Sequence, residues 1–331
     1  MLEKVSIVIP AFNAEKTIAQ AVQACLMQDY AHVKDIIVVD DGSTDKTGER
    51  VNACEGVRYV HENNAGPAQA RNKGAALATG DVICFTDADC IPHQNWVRTL
   101  MKYFYDPSIG AVMGSYGIAN PQFWLACAVY QEIMFRHRRM PLYPKAFGSY
   151  NVAIRKTVFD DVGGFNGEYL HASGEDNDLS YRILFRGYRI FFAKDALVDH
   201  HHPETVKKYL REQYRHGFWR FKMYRAHPRM MGGDDYTFWK DPLEIILSYC
   251  LLGALLLGSW LGFSNAKIII FSVLIIISFE LIFSIKFKCK NKYLLKYSFV
   301  MILRAVARAG GFAAGCVSSL LERPSRRSIP R

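Results

Sequence analysis

The chain has 331 residues, half of them hydrophobic, so it can build one large domain or two ordinary ones around a substantial core. A net charge of +10 would suit a nucleic-acid-binding protein, but the first 280 residues carry as many acidic as basic side chains. We therefore exclude general polyanion binding and expect no nucleic-acid partner. The excess positive charge lies from residue 281 onward, where Glu322 is the one acidic residue beside Lys286, Lys288, Lys290, Lys292, Lys296, Arg304, Arg308, Arg323, Arg326, Arg327 and Arg331.

Short apolar runs alternate with helix-like segments in the first part of the chain. Between the first two runs, apolar residues recur at helical spacing from Ile18 to Leu26, and Pro67 is well placed to open a second helix. This alternation predicts an α/β fold with a Rossmann-like, mostly parallel sheet and helices on both of its faces. The runs that predict strands are VSIVIP (5–10), DIIVVDD (35–41), RYVHE (58–62) and DVICFTDAD (81–89).

Polar residues follow three of the predicted strands. Ligands of such sheets bind beyond the carboxyl ends of the strands, so we expect a binding site at this rim. The polar strand ends are PAFN (10–13), DDGS (40–43) and DAD (87–89).

Two common phosphate-binding loops are excluded. The segment GSTDKTG has Thr47 and Gly48 where a phosphate loop needs glycine and lysine, and no GxGxxG follows the first strand. Because carboxylates repel a diphosphate, Asp87 and Asp89 near a phosphate group imply a bridging Mg²⁺ or Mn²⁺.

Two long apolar runs, 243–263 and 268–287, lie near the C-terminus, and each has the length of a membrane span. A short connection joins them, and the basic segment KFKCKNK begins at the end of the second run. Since basic residues near membrane ends stay in the cytoplasm, we expect a transmembrane helical hairpin with both ends there. The alternative, a pair of buried core helices, fits two adjacent runs of this kind less well.

Residues 294–321 are also apolar, but they include Arg304 and Arg308. A full crossing would place the basic tail, 322–331, outside, so we expect an interfacial or re-entrant helix.

Residues 204–225 combine basic with aromatic side chains. Such a segment could bind single-stranded nucleic acid. Because only a linker at 226–242 separates it from the first membrane run, we favour a helix on an anionic membrane surface. The N-terminus has no apolar run of signal-peptide length, and the cysteines are scattered without zinc spacing. We therefore expect a multi-pass membrane protein whose region 1–225 faces the cytoplasm.

The motifs of this region resemble the family 2 glycosyltransferases, in order and over most of residues 3 to 225. The resemblance implies a nucleotide-sugar-binding fold of the A type, a catalytic domain at 1–225, a nucleotide-sugar donor and a divalent metal. The matching segments are VSIVIPAFN at the start, VVDDGSTDKT (38–47), NNAGPAQARNKG (63–74), TDADC (86–90) and GGFNGEYLHASGEDNDLSYRILFRGYRI (163–190).

The resemblance also assigns roles to single residues. Asp87 is expected to face the ribose or the donor sugar, Asp89 to ligate Mn²⁺ or Mg²⁺, and His200 to be a further metal ligand, although His201 and His202 stand beside it. The residues expected to hold the base and ribose of a UDP-linked donor are Pro10, Ala11, Phe12, Asn13, Asp41 and Arg71.

The stretch with Glu175 and Asp176 is implied to be catalytic, with Asp176 as the general base. One base and one displacement, without a carboxylate nucleophile, give inversion at the anomeric carbon. Polymerising members of the family carry QxxRW, whereas Gln213 here is followed by Tyr-Arg-His-Gly, so we expect the addition of a single sugar.

A position at the membrane suggests a glycan or lipid-linked acceptor. Two alternatives from other classes are a non-catalytic sugar-nucleotide-binding membrane protein and a nucleotidyltransferase of similar fold. A non-catalytic protein would be expected to lose Asp89 or Asp176, and both are present. A nucleotidyltransferase needs a Gly-rich basic loop after the first strand, whereas the chain has AFNAEKT there.

Overall fold

The computed structural model describes residues 3–171, 173–230, 235, 240–260, 281–287 and 291–321. The described chain divides into two compact units. The first contains the described residues up to 204, with Asp235 and Phe287, and the second contains 205–230, 240–260, 281–286 and 291–321. Most of the second predicted membrane run, the end of the first, part of the linker and the basic tail lie outside the described residues.

Strands and helices alternate in the first unit, as predicted. In chain order they are β1 (Val5–Ala11), α1 (Ile18–Leu26), β2 (Val33–Asp40), α2 (Thr47–Asn52), β3 (Arg58–His61), α3 (Pro67–Leu77), β4 (Val82–Thr86), β5 (Cys90–Pro92), α4 (Trp96–Met101), β6 (Ile109–Ile118), α5 (Trp124–His137), β7 (Asn151–Arg155), α6 (Lys156–Asp161), α7 (Glu175–Phe185) and β8 (Arg189–His200).

The strands form one sheet in the order β3-β2-β1-β4-β7-β6-β8-β5. The α/β class is confirmed, and β1 to β4 are parallel. The sheet as a whole is mixed, because β7 runs antiparallel to β4 and β6, and β5 antiparallel to β8. The short β5 follows β4 directly in the chain and pairs with the C-terminal end of β8.

Both faces of the sheet are buried along β1, β4 and most of β2, which explains why these strands are apolar without alternation. Along β1, Ile7 and Ile9 face one core cluster, and Val8 faces the other. Each such side chain contributes about 1.5–3 kcal/mol when it is fully buried. The sheet is therefore a rigid base for the loops at its rim.

Within its described residues, the second unit contains three long helices: α8 (Val206–Ala226), α9 (Lys240–Trp260) and α10 (Leu294–Leu321). Helices α8 and α10 approach each other closely where each carries a glycine. A Cβ at Gly217 would lie 2.1 Å from the Arg308 carbonyl oxygen, and a Cβ at Gly311 would lie 2.0 Å from the Tyr214 carbonyl oxygen. Among the described residues, α10 is the helix whose length and apolar composition suit a membrane span. A hairpin is not seen in the described part of the chain.

Candidate active site

The loops after β1 and β2 are hydrogen-bonded to each other. The Asn13 amide N–H donates to Ser43 Oγ (2.8 Å), and Asn13 Oδ1 accepts from the Thr44 amide (2.9 Å). Asn13 adopts a φ of 49°, a left-handed conformation that asparagine tolerates better than most residues. The Asp41 amide donates to the Ala11 carbonyl (2.8 Å). The structure therefore brings the segment 10–13 and Asp41 to one rim, where the Phe12 side chain is 52% exposed.

Asp41 is buried and joins this rim to the start of α3. Its carboxylate accepts hydrogen bonds from the amides of Ala65 (2.7 Å) and Gly66 (2.9 Å). Gly66 has a φ of 91°, and a Cβ there would lie 2.7 Å from the Leu170 carbonyl oxygen. Both the positive φ and the close carbonyl favour glycine at position 66. The Asp41 carboxylate stabilises the turn that Gly66 forms.

Asp40 is a residue of this rim that the sequence analysis did not single out. Its carboxylate accepts from the Ser43 amide (2.8 Å) and the Tyr59 hydroxyl (2.6 Å). Burial raises the pKa of Asp40, but these hydrogen bonds outweigh burial and hold the pKa below its ordinary value. Asp40 is thus an ionised structural residue of the loop.

The turn between β4 and β5 carries Asp87 and Asp89. It is closed by the Cys90 amide, which donates to the Asp87 carbonyl (3.0 Å). Cys90 pairs with His200 in the β5–β8 ladder, and His200 Nε2 consequently lies 3.4 Å from Asp89 Oδ1. The structure brings the two predicted metal ligands together, whereas the sequence left the choice among three histidines open.

The donor atoms of Asp89, Cys90 and His200 all lie within 4.8 Å of one another. Burial and the nearby aspartates raise the pKa of the Cys90 thiol well above its usual value, which disfavours the thiolate. The Asp89 carboxylate and the His200 imidazole are ligands that Mn²⁺ accepts. The residues present therefore fit a divalent metal held by Asp89 and His200.

Arg71 joins the Asp87 turn to α7 from inside the protein. Its Nη2 lies 2.7 Å from Asp87 Oδ1, and its Nη1 lies 3.0 Å from Glu175 Oε1. The Arg71 and Glu175 side chains are each only 2% exposed, and the guanidinium lies over the Phe165 ring. Burial raises the pKa of Glu175, and the positive charge of Arg71 opposes that shift. Arg71 and Glu175 thus support the rim from beneath.

Asp176 lies in the first turn of α7 and is partly exposed. Gly174 caps this helix with a φ of 93°, and the backbone carbonyl of Asp176 accepts from the Ser180 hydroxyl (2.6 Å). The positive end of the helix dipole favours an ionised carboxylate at this position. Because Asp176 directly follows Glu175, the buried ion pair with Arg71 determines where the Asp176 backbone lies.

Comparison with known sequences identifies the family of this chain. A family model described as glycosyl transferase family 2 matches residues 6–163, and one described as N-terminal domain of galactosyltransferase matches 133–208. Glycosyltransferase GlyG of Streptococcus pneumoniae is 38% identical over 217 residues, which are 60% of this chain and 70% of that protein. This chain belongs to glycosyltransferase family 2.

Other matched proteins are covered to different extents, and this family 2 glycosyltransferase spans only about half the length of the first curated relatives that it matches. The pre-mycofactocin glycosyltransferase of Mycobacterium tuberculosis is 32% identical over 190 residues, 53% of this chain and 39% of the relative. The mannosyltransferase PcManGT of Pyrobaculum calidifontis, solved with GDP-Man and Mn²⁺, matches 97% of this chain and 88% of its own with a TM-score of 0.58 at 18% identity. The family 2 glycosyltransferase thus has the A-type fold of that structure.

Proposed function

We propose that this protein transfers one sugar from a nucleoside-diphosphate sugar, UDP-linked, to a hydroxyl of a glycan or lipid-linked acceptor. The observation that carries the proposal is the chain of contacts from Asp89 and His200, through the Asp87 turn and Arg71, to the helix that bears Asp176. These contacts connect the residues that fit a divalent metal to the partly exposed Asp176 carboxylate at one rim of the sheet.

In the proposed mechanism, the segment 10–13 and Asp41 hold the base and ribose, and Asp87 contacts the ribose or the sugar. Asp176 accepts the proton of the acceptor hydroxyl as the oxygen attacks the anomeric carbon. A divalent metal, Mn²⁺ or Mg²⁺, held by Asp89 and His200 would neutralise the charge of the departing diphosphate.

The ion pairing and burial of the neighbouring carboxylates support inversion at the anomeric carbon. Asp87 is paired with Arg71, and Glu175 is buried against the same guanidinium, so neither is available to form a covalent sugar intermediate. A single displacement at the anomeric carbon, with Asp176 as base, is the mechanism that these positions favour.

A donor panel tests this function. We expect detergent-purified protein with Mn²⁺ or Mg²⁺ to release nucleoside diphosphate slowly from one of several UDP-, GDP- and dTDP-sugars. Chelation or Asp89→Ala should lower the rate at least about 100-fold, because the diphosphate then lacks its counter-charge. Asp195→Ala, which removes an exposed carboxylate of β8, is the matched control and should retain the rate. Absence of donor binding and turnover in folded protein would contradict the proposal.

We further propose that the second unit anchors the enzyme in a membrane, with the predicted hairpin and the catalytic domain on the cytoplasmic side. Arg304 and Glu244 are buried and paired in this unit, and Nη1 of the partly buried Arg308 lies 2.5 Å from Asp241 Oδ1. A polar interior with an apolar outside suits helices surrounded by lipid and supports insertion of α10. The exposed apolar residues of α10 are Leu295, Phe299, Val306, Val317, Leu320 and Leu321.

The buried charges predict unequal effects of two substitutions. Glu244 contacts both Lys240 and Arg304, so Glu244→Leu leaves two buried cations without this carboxylate and should destabilise the unit by about 3–5 kcal/mol. Arg304→Leu should cost less, because Glu244 still contacts Lys240. Thermal unfolding in detergent measures the order, and alkaline carbonate extraction should leave the wild-type chain in the membrane fraction. Equal losses of stability in the two variants would argue against the proposed role of Glu244. Release of the wild-type chain by carbonate would argue against the membrane anchor.

A further inference from the structure

His202 is held in the interior next to the proposed metal ligand His200. Its Nδ1 lies 3.1 Å from His200 Nδ1, and the residue is only 2% exposed. The backbone of His202 is fixed on both sides by Asn120: the Asn120 Nδ2 donates to the His202 carbonyl (2.8 Å), and the His202 amide donates to Asn120 Oδ1 (3.1 Å). Buried hydrogen bonds therefore fix the backbone of His202, from which the imidazole projects toward His200.

Aromatic rings restrict the orientation of both histidines. The Tyr116 ring lies 5.2 Å from the His200 ring and 5.6 Å from the His202 ring, measured between centroids. Tyr116 is itself stacked on Tyr150 at 3.7 Å. The Tyr116 ring therefore packs against both imidazoles and restricts their rotation, which favours the contact between the two Nδ1 atoms.

The contact between the two Nδ1 atoms has a chemical consequence. Two ring nitrogens at 3.1 Å form a hydrogen bond when one carries the proton and the other accepts it. His200 Nε2 faces Asp89, and an imidazole that binds a metal through Nε2 carries its proton on Nδ1 and donates it to a neighbouring acceptor. His202 Nδ1 is an acceptor within reach of that proton, and in this arrangement His202 carries its own proton on Nε2.

We propose that His202 is a positioning residue: it accepts the Nδ1–H of His200 and so keeps the His200 Nε2 lone pair directed at the metal beside Asp89. This inference rests on the proposed function, since it assumes that Asp89 and His200 hold the metal. The partner of a metal-bound imidazole is usually a carboxylate, carbonyl or water. Here a second, buried imidazole takes that place.

Two substitutions of equal shape test the hydrogen bond. Asparagine at 202 carries polar atoms near the position of the imidazole Nδ1 and can accept through its oxygen, whereas leucine has the same shape without an acceptor. We expect His202→Leu to weaken Mn²⁺ binding about 10-fold or more, and His202→Asn to stay within about threefold of wild type, as expected for the outer partner of a metal ligand. The Mn²⁺ dissociation constant is measured by electron paramagnetic resonance on the full-length chain without donor.

Further measurements separate positioning from folding. The melting temperatures of the metal-free Asn and Leu variants should agree, and His202→Phe, which keeps a ring, should weaken Mn²⁺ binding as leucine does. If the Leu, Phe and Asn variants bind Mn²⁺ as tightly as wild type, or all weaken it equally, the inference is overturned. If wild type and His200→Leu both fail to bind Mn²⁺, the proposed metal site itself is wrong.

Discussion

Asp176→Asn is expected to lower kcat by about 10²–10⁴-fold while donor binding stays close to wild type. The substitution keeps the size of the side chain and removes its ability to accept a proton. Asp176 is partly exposed and its backbone lies in the first turn of α7, so asparagine should be accommodated without loss of the helix. The effect should therefore fall on the chemical step.

The measurement is transfer to acceptor at saturating donor and metal, with donor affinity determined separately by calorimetry. Glu168→Gln removes an exposed carboxylate shortly before α7 and serves as the matched control. A kcat near wild type for Asp176→Asn, in folded protein, would assign the base to another group. A loss of donor affinity instead of kcat would make Asp176 a binding residue.

Much of the first unit could be predicted from the sequence because its strands are buried on both faces. Continuous apolar runs mark such strands, and the polar residues that follow them lie at one rim when the strands are parallel. The largely apolar segment RIFFAKDALVDH, which ends at His200, indicates a further strand and coincides with β8, Arg189–His200. The histidine cluster was recognisable for the same reason as the aspartates: it follows a buried strand.

The mixed sheet could not be predicted in the same way. Residues Cys90–Pro92 form a strand of three residues, too short for any periodic pattern, yet their pairing with β8 brings His200 to Asp89. Strand β7 is inserted between β4 and β6 in space although it follows both in the chain. Pairing over such sequence distances leaves no local signal.

The contact between Arg71 and Glu175 could not be predicted from their motifs. Motif position suggested a donor pocket for Arg71 and a catalytic stretch for Glu175, but both side chains are buried against each other. Their separation along the sequence hides this contact, as it hides the pairing of Asn120 with His202. An arginine in a small-residue helix and a glutamate at a helix start were the available signals, and neither indicates a partner.

Arg71→Met is expected to destabilise the protein by about 3–5 kcal/mol, because it leaves Glu175 buried without a counter-charge and frees Asp87. Methionine retains most of the apolar stem, so lost packing contributes little. Arg71→Lys should restore only part of the stability, since one ammonium group does not reproduce the two directed contacts of the guanidinium. Thermal unfolding of the detergent-solubilised full chain measures both effects.

The double variant Arg71→Met/Glu175→Met separates stability from activity. Removing both buried charges should recover much of the stability, because a well-packed apolar pair avoids the cost of burying ions. Transfer should nevertheless stay low: Asp87 has lost the guanidinium that fixes it, and the start of α7, which carries Asp176, has lost its link to the Asp87 turn. A stable double variant with wild-type kcat would show that Asp87 and Asp176 keep their positions without the Arg71 bridge. Recovery of stability without recovery of kcat would instead assign to Arg71 the alignment of the rim residues.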